Sequence, residues 1–289
     1  MNWFYSVISV LFSLIWTCPA APFFQTTTAP GLISQNLVDC PSSCTLLLNN
    51  NNESTSEDVL VMTSKELNPK HYEASRAGNA VQHYINTQYG SPFRLYSVTQ
   101  VHKARTEDMA EAGMKYFLEF SVMDWAGESA EGNCSAEVLY PRGETQRPPQ
   151  VQGSWEHLPQ LDNTDKEQEF YKRYSAADSA VSAKDLPDRI GYIDPEMKPF
   201  WNLGWAAASF IMLRESNENT LFNMAQVAKI TQLKSQDNQL RFEYQILLHD
   251  MVSQEIIRWN MLLSWSPEQG VKVSDTELLP RCHCNHPNP

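Results

Sequence analysis

The chain has 289 residues, with 22 basic and 34 acidic side chains that give a net charge of −12. This length accommodates one large domain or two small ones. The acidic balance excludes a typical nucleic-acid-binding protein, which presents a basic face to phosphates, and is typical of a surface that keeps a protein soluble.

The N-terminal residues 1–20 have the pattern of a signal peptide. Trp3 to Trp16 is apolar apart from serines, and small residues at Cys18 and Ala20 precede the expected cleavage site. The apolar run is shorter than the roughly 20 residues that span a bilayer. We therefore expect a secreted protein, and a cytoplasmic one if this run does not act as a signal.

Residues 21–67 are rich in Thr, Ser, Asn and Pro and predict a flexible N-terminal segment. Asn52 begins an Asn-Glu-Ser sequon and is the glycosylation candidate. A second sequon at Asn133 lies at the start of a strand pattern, so we do not expect glycosylation there.

Five cysteines remain once Cys18 is removed with the signal peptide, and four of them lie outside the region with helix and strand patterns. Pairing between the two termini would tie the chain ends together. These disulfide candidates are Cys40, Cys44, Cys282 and Cys284. The sequence leaves their connectivity open. Cys134 is in phase with the apolar side of a strand, which predicts a buried thiol.

The first folded unit is expected over residues 68–160. Asn68 and Pro69 begin a helix that ends at Gly90. Four strands follow, over Phe93 to Lys103, Met114 to Val122, Cys134 to Tyr140 and Val151 to Trp155. Each of the middle two alternates apolar and polar residues, as a half-buried strand does.

Residues 161–193 are expected to form a linker whose helix runs from Asp162 to Lys184, a stretch free of Pro and Gly. The second unit, 194–280, repeats the first, and residues 281–289 form a tail. The helix of the second unit is expected to begin at Asp194 and Pro195, and its stretch from Phe200 to Leu213 is apolar on nearly every side and should be buried. The strands of this unit are predicted over Leu221 to Lys234, Leu240 to Leu248, Ile256 to Trp265 and Val271 to Leu278.

Two successive units of one helix and four strands predict an α+β fold, in which each antiparallel sheet packs on one helix. Within the second unit, a β-hairpin presents the polar tip Asp250 to Glu255. Catalytic motifs such as GxSxG, HExxH or a P-loop do not occur in the sequence. For the Cys282 to His286 tract, a disulfide or a free tail is favoured over a metal site, so we expect neither an enzyme nor a cofactor.

Several blocks, in order along the chain, resemble the latexin family of carboxypeptidase inhibitors. They are Ala74 to Ala77, His83 to Asn86, Asn133 to Pro141, Pro195 to Met197 and Leu247 to Ile257. The resemblance implies two tandem cystatin-like subdomains joined by a linker helix. It also implies reversible inhibition of A/B-type zinc metallocarboxypeptidases by occlusion of the active-site funnel, with a surface near the subdomain junction dominated by the second subdomain.

Carried onto this chain, the resemblance gives the expected inhibitor contacts Gln254, Ser253, Glu255, His249, Gln236 and Asn238. Arg258 stands where the family usually has Pro. The expected partner is a zinc metallocarboxypeptidase. We expect the protein to be a monomer that does not bind nucleic acid, and that does not bind a membrane once the signal peptide is removed. The first alternative is a secreted, non-inhibitory extracellular or matrix protein that uses the same scaffold for binding. The second is a small-molecule carrier that uses the groove between the two units.

Overall fold

The computed structural model describes residues 64–126, 131–143, 145–176 and 180–281. These ranges contain three α-helices and ten β-strands. The helices are α1 (Tyr72–Tyr89), α2 (Thr164–Ser175) and α3 (Lys198–Glu215). The strands are β1 (Ser64–Leu67), β2 (Tyr96–Asp108), β3 (Gly113–Asp124), β4 (Gly132–Pro141), β5 (Gln150–Ser154), β6 (Ser182–Leu186), β7 (Phe222–Gln236), β8 (Gln239–Asp250), β9 (Glu255–Ser266) and β10 (Gly270–Leu278).

The strands form two five-stranded sheets with the same topology. The first has the order β1-β2-β3-β4-β5 and the second the order β10-β9-β8-β7-β6, and all neighbours are antiparallel. In each half, the helix is inserted between the first and second strands, as α1 or α3. The predicted α+β fold of two tandem cystatin-like subdomains is therefore confirmed.

Strand β8 shows most clearly how the sequence produces a sheet. Leu240, Phe242, Tyr244, Ile246 and Leu248 are all buried, and the residues between them are half-buried on the opposite face. Side chains alternate between the two faces of a strand, so one face of β8 supplies the core that α3 covers. The Tyr244 hydroxyl completes this contact by donating to the carbonyl oxygen of Phe200 at 3.0 Å.

Helix α3 is buried on two sides because it packs on its own sheet and also on α1. Trp201 and Trp205 are both 1% exposed, as the absence of a polar face predicts. Gly90 allows the close approach of the two subdomains. A Cβ at Gly90 would overlap the carbonyl oxygen of Asn86 and lie 2.9 Å from the Cβ of Ala206, so the glycine contributes space and not a left-handed turn.

Both long helices begin later than predicted. Asn68 precedes α1, where its side-chain oxygen accepts the amide N–H of Lys70 at 2.9 Å in a separate turn. Asp194 does the same for Glu196 at 2.8 Å before α3. Pro199 then falls in the first helical turn, where a missing N–H removes no intrahelical hydrogen bond, so it does not interrupt the helix.

Two edge strands lie in segments that were predicted otherwise. Ser64–Leu67 falls in the segment expected to be flexible, yet it pairs with β2. Strand β6, Ser182–Leu186, begins within the stretch predicted as the linker helix, but the observed helix α2 ends at Ser175 and β6 pairs with β7. The repeating unit is therefore one strand longer than predicted, with a strand before each helix.

The burial predicted for Cys134 is confirmed. The residue is 7% exposed and its thiol is free. Burial raises the pKa of this thiol to about 11, which makes it a poor nucleophile at neutral pH. Trp259 and Trp265 of β9 also lie in the core, at 8% and 1% exposed.

Candidate functional site

The β8–β9 tip, which we define as Met251 to Gln254, is organised by a buried carboxylate. Asp250 is 6% exposed and closes β8 opposite Glu255. Its Oδ1 accepts the backbone N–H groups of Leu221 at 3.0 Å and Val252 at 3.1 Å. Its Oδ2 accepts the Ser253 hydroxyl at 2.7 Å and the Ser253 N–H at 3.3 Å.

The same contacts decide the protonation of Asp250. Burial opposes its ionisation, but the hydrogen bonds from the Ser253 hydroxyl and the three backbone amides outweigh that effect, so the pKa of Asp250 lies below its ordinary value. A charged acceptor forms stronger hydrogen bonds than a neutral one. The tip is therefore held in one shape at neutral pH.

Gln254 is an exposed polar residue of this loop. Its φ of 61° places it in the left-handed region, which is uncommon for a residue other than glycine. Its backbone N–H donates to the Asp250 carbonyl at 2.8 Å, and its Nε2 donates to the Met251 carbonyl at 2.7 Å. One N–H of the side-chain amide is thus engaged within the loop.

The neighbours named with Gln254 have different environments. Ser253 turns its hydroxyl inward to Asp250, so its role in the structure is to shape the loop. Glu255 pairs with Arg281 at 3.0 Å. His249 is half-buried in β8, where its strand partners are Ile256 and Asn223. These four residues lie together at one end of the second sheet.

Gln236 and Asn238 lie at the other end of that sheet. Gln236 is the last residue of β7, and Asn238 is the second residue of the two-residue turn to β8, in which Asp237 and Asn238 both have positive φ. Strand β8 rises about 3.4 Å per residue, so its two ends are separated by about 37 Å. The structure does not bring these two predicted contacts together with Gln254.

Two apolar residues beside Gln254 were missed in the sequence. Val252 is 43% exposed and Ile256 is 52% exposed. Ile256 lies on the outward side of β9. Its place in the alternating pattern of that strand, out of phase with the buried residues, already predicts an exposed side chain. Together with Gln254 they give the tip a polar centre with apolar neighbours.

The first subdomain supports the tip through the segment that leads into β7. Glu218 accepts the hydroxyl of Tyr116 at 2.8 Å with its side chain and the guanidinium of Arg76 at 2.8 Å with its carbonyl. Three residues later, Leu221 donates to Asp250 and accepts the Met251 N–H at 2.8 Å. The tip therefore lies at the junction of the two subdomains.

Arg258, which stands where the resemblance leads us to expect Pro, contacts the segment after β10. Its Nη2 donates to the carbonyl oxygen of Pro280 at 2.5 Å, which ties the segment after β10 to β9. The N–H of Leu279 reinforces this by donating to the Arg258 carbonyl at 2.9 Å. With arginine at this position, the loop still has the hydrogen bonds from Ser253 and Leu221 to Asp250.

Within residues 64–281, excluding the three internal gaps, no group of three or more His, Cys, Asp or Glu side chains is arranged to hold a metal ion. The helices of that same part are too short or too polar to cross a membrane. The signal peptide, Asn52, Cys40, Cys44, Cys282 and Cys284 lie outside the described residues, so these predictions stay untested.

A duplicated helix-and-sheet scaffold that presents a locked hairpin tip defines a cystatin-like protein. A family model described as Latexin matches residues 67–283. Latexin of Mus musculus is 36% identical over 216 residues, which are 75% of this chain and 97% of that protein. Latexin of Homo sapiens is 35% identical over 216 residues, with the same 75% and 97% shares. Ovocalyxin-32 of Gallus gallus is 30% identical over 210 residues, 72% of this chain and 75% of that protein. The chain belongs to the latexin family.

Proposed function

We propose that this protein is a reversible, proteinaceous inhibitor of A/B-type zinc metallocarboxypeptidases and performs no chemistry of its own. The observation that carries the proposal is the exposed Gln254, held at a left-handed position in a loop locked by Asp250. The resemblance of Leu247 to Ile257 to the latexin family supports it. Such a loop loses little conformational entropy on binding, which favours affinity.

In this proposal the tip enters the mouth of the enzyme's active-site funnel and occludes it. The amide oxygen of Gln254 is the atom that would face the enzyme's zinc or the groups that hold a substrate carboxylate. Val252 and Ile256 supply exposed apolar surface on either side, where desolvation contributes to binding. Ser253 acts by shaping the loop, and contact at Gln236 or Asn238 would require a second, distant patch.

Gln254→Ala is expected to weaken inhibition of a pancreatic-type carboxypeptidase A by about 30-fold, the effect of losing a central contact worth about 2 kcal/mol. The inhibition constant of the purified chain without residues 1–20 would be measured by titration against the enzyme. Gln150→Ala is the matched control, because Gln150 is an exposed glutamine on β5 of the other subdomain. It should leave the inhibition constant unchanged.

Gln254→Gly separates the side chain from the backbone. Glycine adopts positive φ without the steric cost that other residues meet, so this variant should be at least as stable as the parent while inhibiting as poorly as Gln254→Ala. Equal inhibition by the parent, Gln254→Ala and Gln150→Ala would refute the assigned surface. Absence of inhibition by the parent chain at micromolar concentration would refute the proposal and favour the non-inhibitory binding protein.

We also propose that the protein is exported and meets its target outside the cell. The apolar run from Trp3 to Trp16, with cleavage after Ala20, supports this. Expression of the full chain in cultured animal cells should yield a protein in the medium whose N-terminus is Ala21, as read by mass spectrometry. A chain retained in the cytosol with Met1 intact would contradict export and leave the inhibitory proposal standing.

A further inference from the structure

A tight turn between β6 and α3 exposes two large apolar side chains. Ile190 is 87% exposed and Tyr192 is 57% exposed, and Ile190 is the most exposed of the large hydrophobic residues in the described ranges. Apolar side chains left in water forgo the free energy of burial, so a paired exposure of this kind marks an interaction site more often than a scattered one. We name the segment Pro187 to Asp194 the β6–α3 turn.

The β6–α3 turn is held in one shape by its own hydrogen bonds. Oδ1 of Asp188 accepts the N–H groups of Ile190 and Tyr192, each at 2.9 Å. The backbone N–H of Asp188 donates to the Tyr192 carbonyl at 2.9 Å, which closes the turn. Gly191 has a φ of 84°, a conformation that glycine adopts without strain. The two apolar side chains are therefore presented by a rigid backbone.

The β6–α3 turn lies toward the same end of the second sheet as the β8–β9 tip. Leu186 pairs with Val227, Val227 pairs with Ile246, and Ile246 lies four residues before Asp250. Adjacent strands are about 4.8 Å apart and advance about 3.4 Å per residue, so Leu186 is about 17 Å from Asp250.

The direction of the chain brings the turn nearer to the tip. Strand β6 is antiparallel to β7, so the chain leaves Leu186 toward the end of β7 where Phe222 pairs with Asp250. The Gln226 side chain donates to the Pro187 carbonyl at 2.8 Å, which holds the base of the turn level with that stretch of β7. Chain direction therefore carries the turn toward the same end of the second sheet as the tip.

A stable protein–protein interface buries about 800 Å² on each partner and involves about 20–30 residues a side. The tip and its immediate neighbours supply fewer than half of that number of residues. A patch of about 800 Å² is about 32 Å across, so the tip and the β6–α3 turn both fit within one interface. The space between them is bridged by β7 and β8.

We propose that the β6–α3 turn is a second contact with the carboxypeptidase, in which Ile190 and Tyr192 enter an apolar hollow on the rim of the funnel that Gln254 occludes. This inference rests on the proposed function. The chemistry of the partner surface follows from that of the turn: it is apolar, with one hydrogen-bonding group for the tyrosine hydroxyl. Such a rim contact would distinguish one carboxypeptidase from another, because the catalytic centre they share lies under Gln254.

Ile190→Ser is expected to raise the inhibition constant about 10-fold, and the double variant with Tyr192→Ser about 100-fold, as truncation of buried interface anchors does. Ile190→Leu retains the apolar bulk and should stay within about threefold of the parent. None of these variants touches Asp188 or Gly191, so melting temperatures should be unchanged. Inhibition constants against carboxypeptidase A and melting temperatures would be measured for all of them.

Leu161→Ser is the control for a general loss of surface hydrophobicity. Leu161 is 38% exposed and precedes α2, whose Tyr171 hydroxyl contacts Asn238 at the end of the second sheet opposite the tip. This variant should inhibit as well as the parent. If the parent inhibits and Gln254→Ala weakens it, while the double variant at Ile190 and Tyr192 inhibits normally, the second contact is refuted and the proposed function stands. If the parent does not inhibit, both are refuted.

Discussion

Asp250→Ala is expected to lower the free energy of unfolding by about 3 kcal/mol and to weaken inhibition at least as much as Gln254→Ala. The substitution removes the acceptor of four hydrogen bonds and leaves donors at Leu221 and Val252 unsatisfied. Each such buried donor costs about 1–3 kcal/mol, partly recovered where water enters the loop. Urea denaturation and inhibition titrations would measure the two effects.

Asp250→Asn is the matched control. It keeps a similar volume and one acceptor oxygen, so it should lose less stability than Asp250→Ala and retain part of the inhibition. If Asp250→Ala unfolds at the expected lower urea concentration but inhibits normally, the tip is not the contact surface. The Gln254 variants would then be expected to inhibit normally as well.

The stabilising effect of Asp250 has a defined pH dependence. Its pKa is lower in the folded protein than in the unfolded chain, so the unfolded chain binds the proton more readily. The contribution of Asp250 is present in full above the unfolded pKa of about 3.9 and is lost as the pH falls through the folded value. The stability difference between the parent and Asp250→Asn should therefore shrink below about pH 4.

Trp205→Ala is the substitution expected to cost the most stability, about 3–5 kcal/mol, because it leaves a large cavity between two subdomains. Trp205 is 1% exposed and lies 6.3 Å from the ring of Trp125 in the first subdomain. The melting temperature should fall on the order of 10 °C. Calorimetry combined with near-ultraviolet circular dichroism would measure it.

We expect a single unfolding transition both for the parent and for Trp205→Ala, since α3 is covered by its own sheet on one side and by α1 on the other. Phe242→Ala is the control within one subdomain, because Phe242 is buried against Phe200 and Tyr244 of the same half. It should have a similar cost. Two separate transitions in the parent would contradict the coupling of the subdomains through α3.

Strands β7, β8 and β9 were predictable from sequence because one face of each is largely buried. Phe242 and Tyr244 alternate with polar residues, and burial alternates in the same register. Strands β1 and β6 could not be found this way. Lys65 and Lys184 lie in edge strands of four and five residues whose side chains are mostly exposed, so backbone pairing stabilises them and leaves no hydrophobic period.

The position of the candidate site could be predicted from the sequence, but the hydrogen bonds that shape it could not. The polar break in the hairpin pattern located Gln254, and the known rise of a strand already separates Gln254 from Gln236. The role of Asp250 as the buried centre of the loop depends on Leu221, which is 29 residues away in sequence and reaches it only through β7. The β6–α3 turn had Asp188 and Gly191 as turn signals, but their hydrogen bonds became visible only in the structure.

The edges of the two sheets bear on how the protein behaves at high concentration. Strands β1, β5 and β6 have four, five and five residues, too few to offer a long row of unpaired backbone groups. Strand β10 is longer, but it carries the exposed charges Lys272, Asp275 and Glu277 and a bulge between Val273 and Asp275. A second copy that tried to add a strand there would meet a broken hydrogen-bond register and a row of charges. Aggregation through strand addition is thus resisted at all four edges of the two sheets that the described residues form.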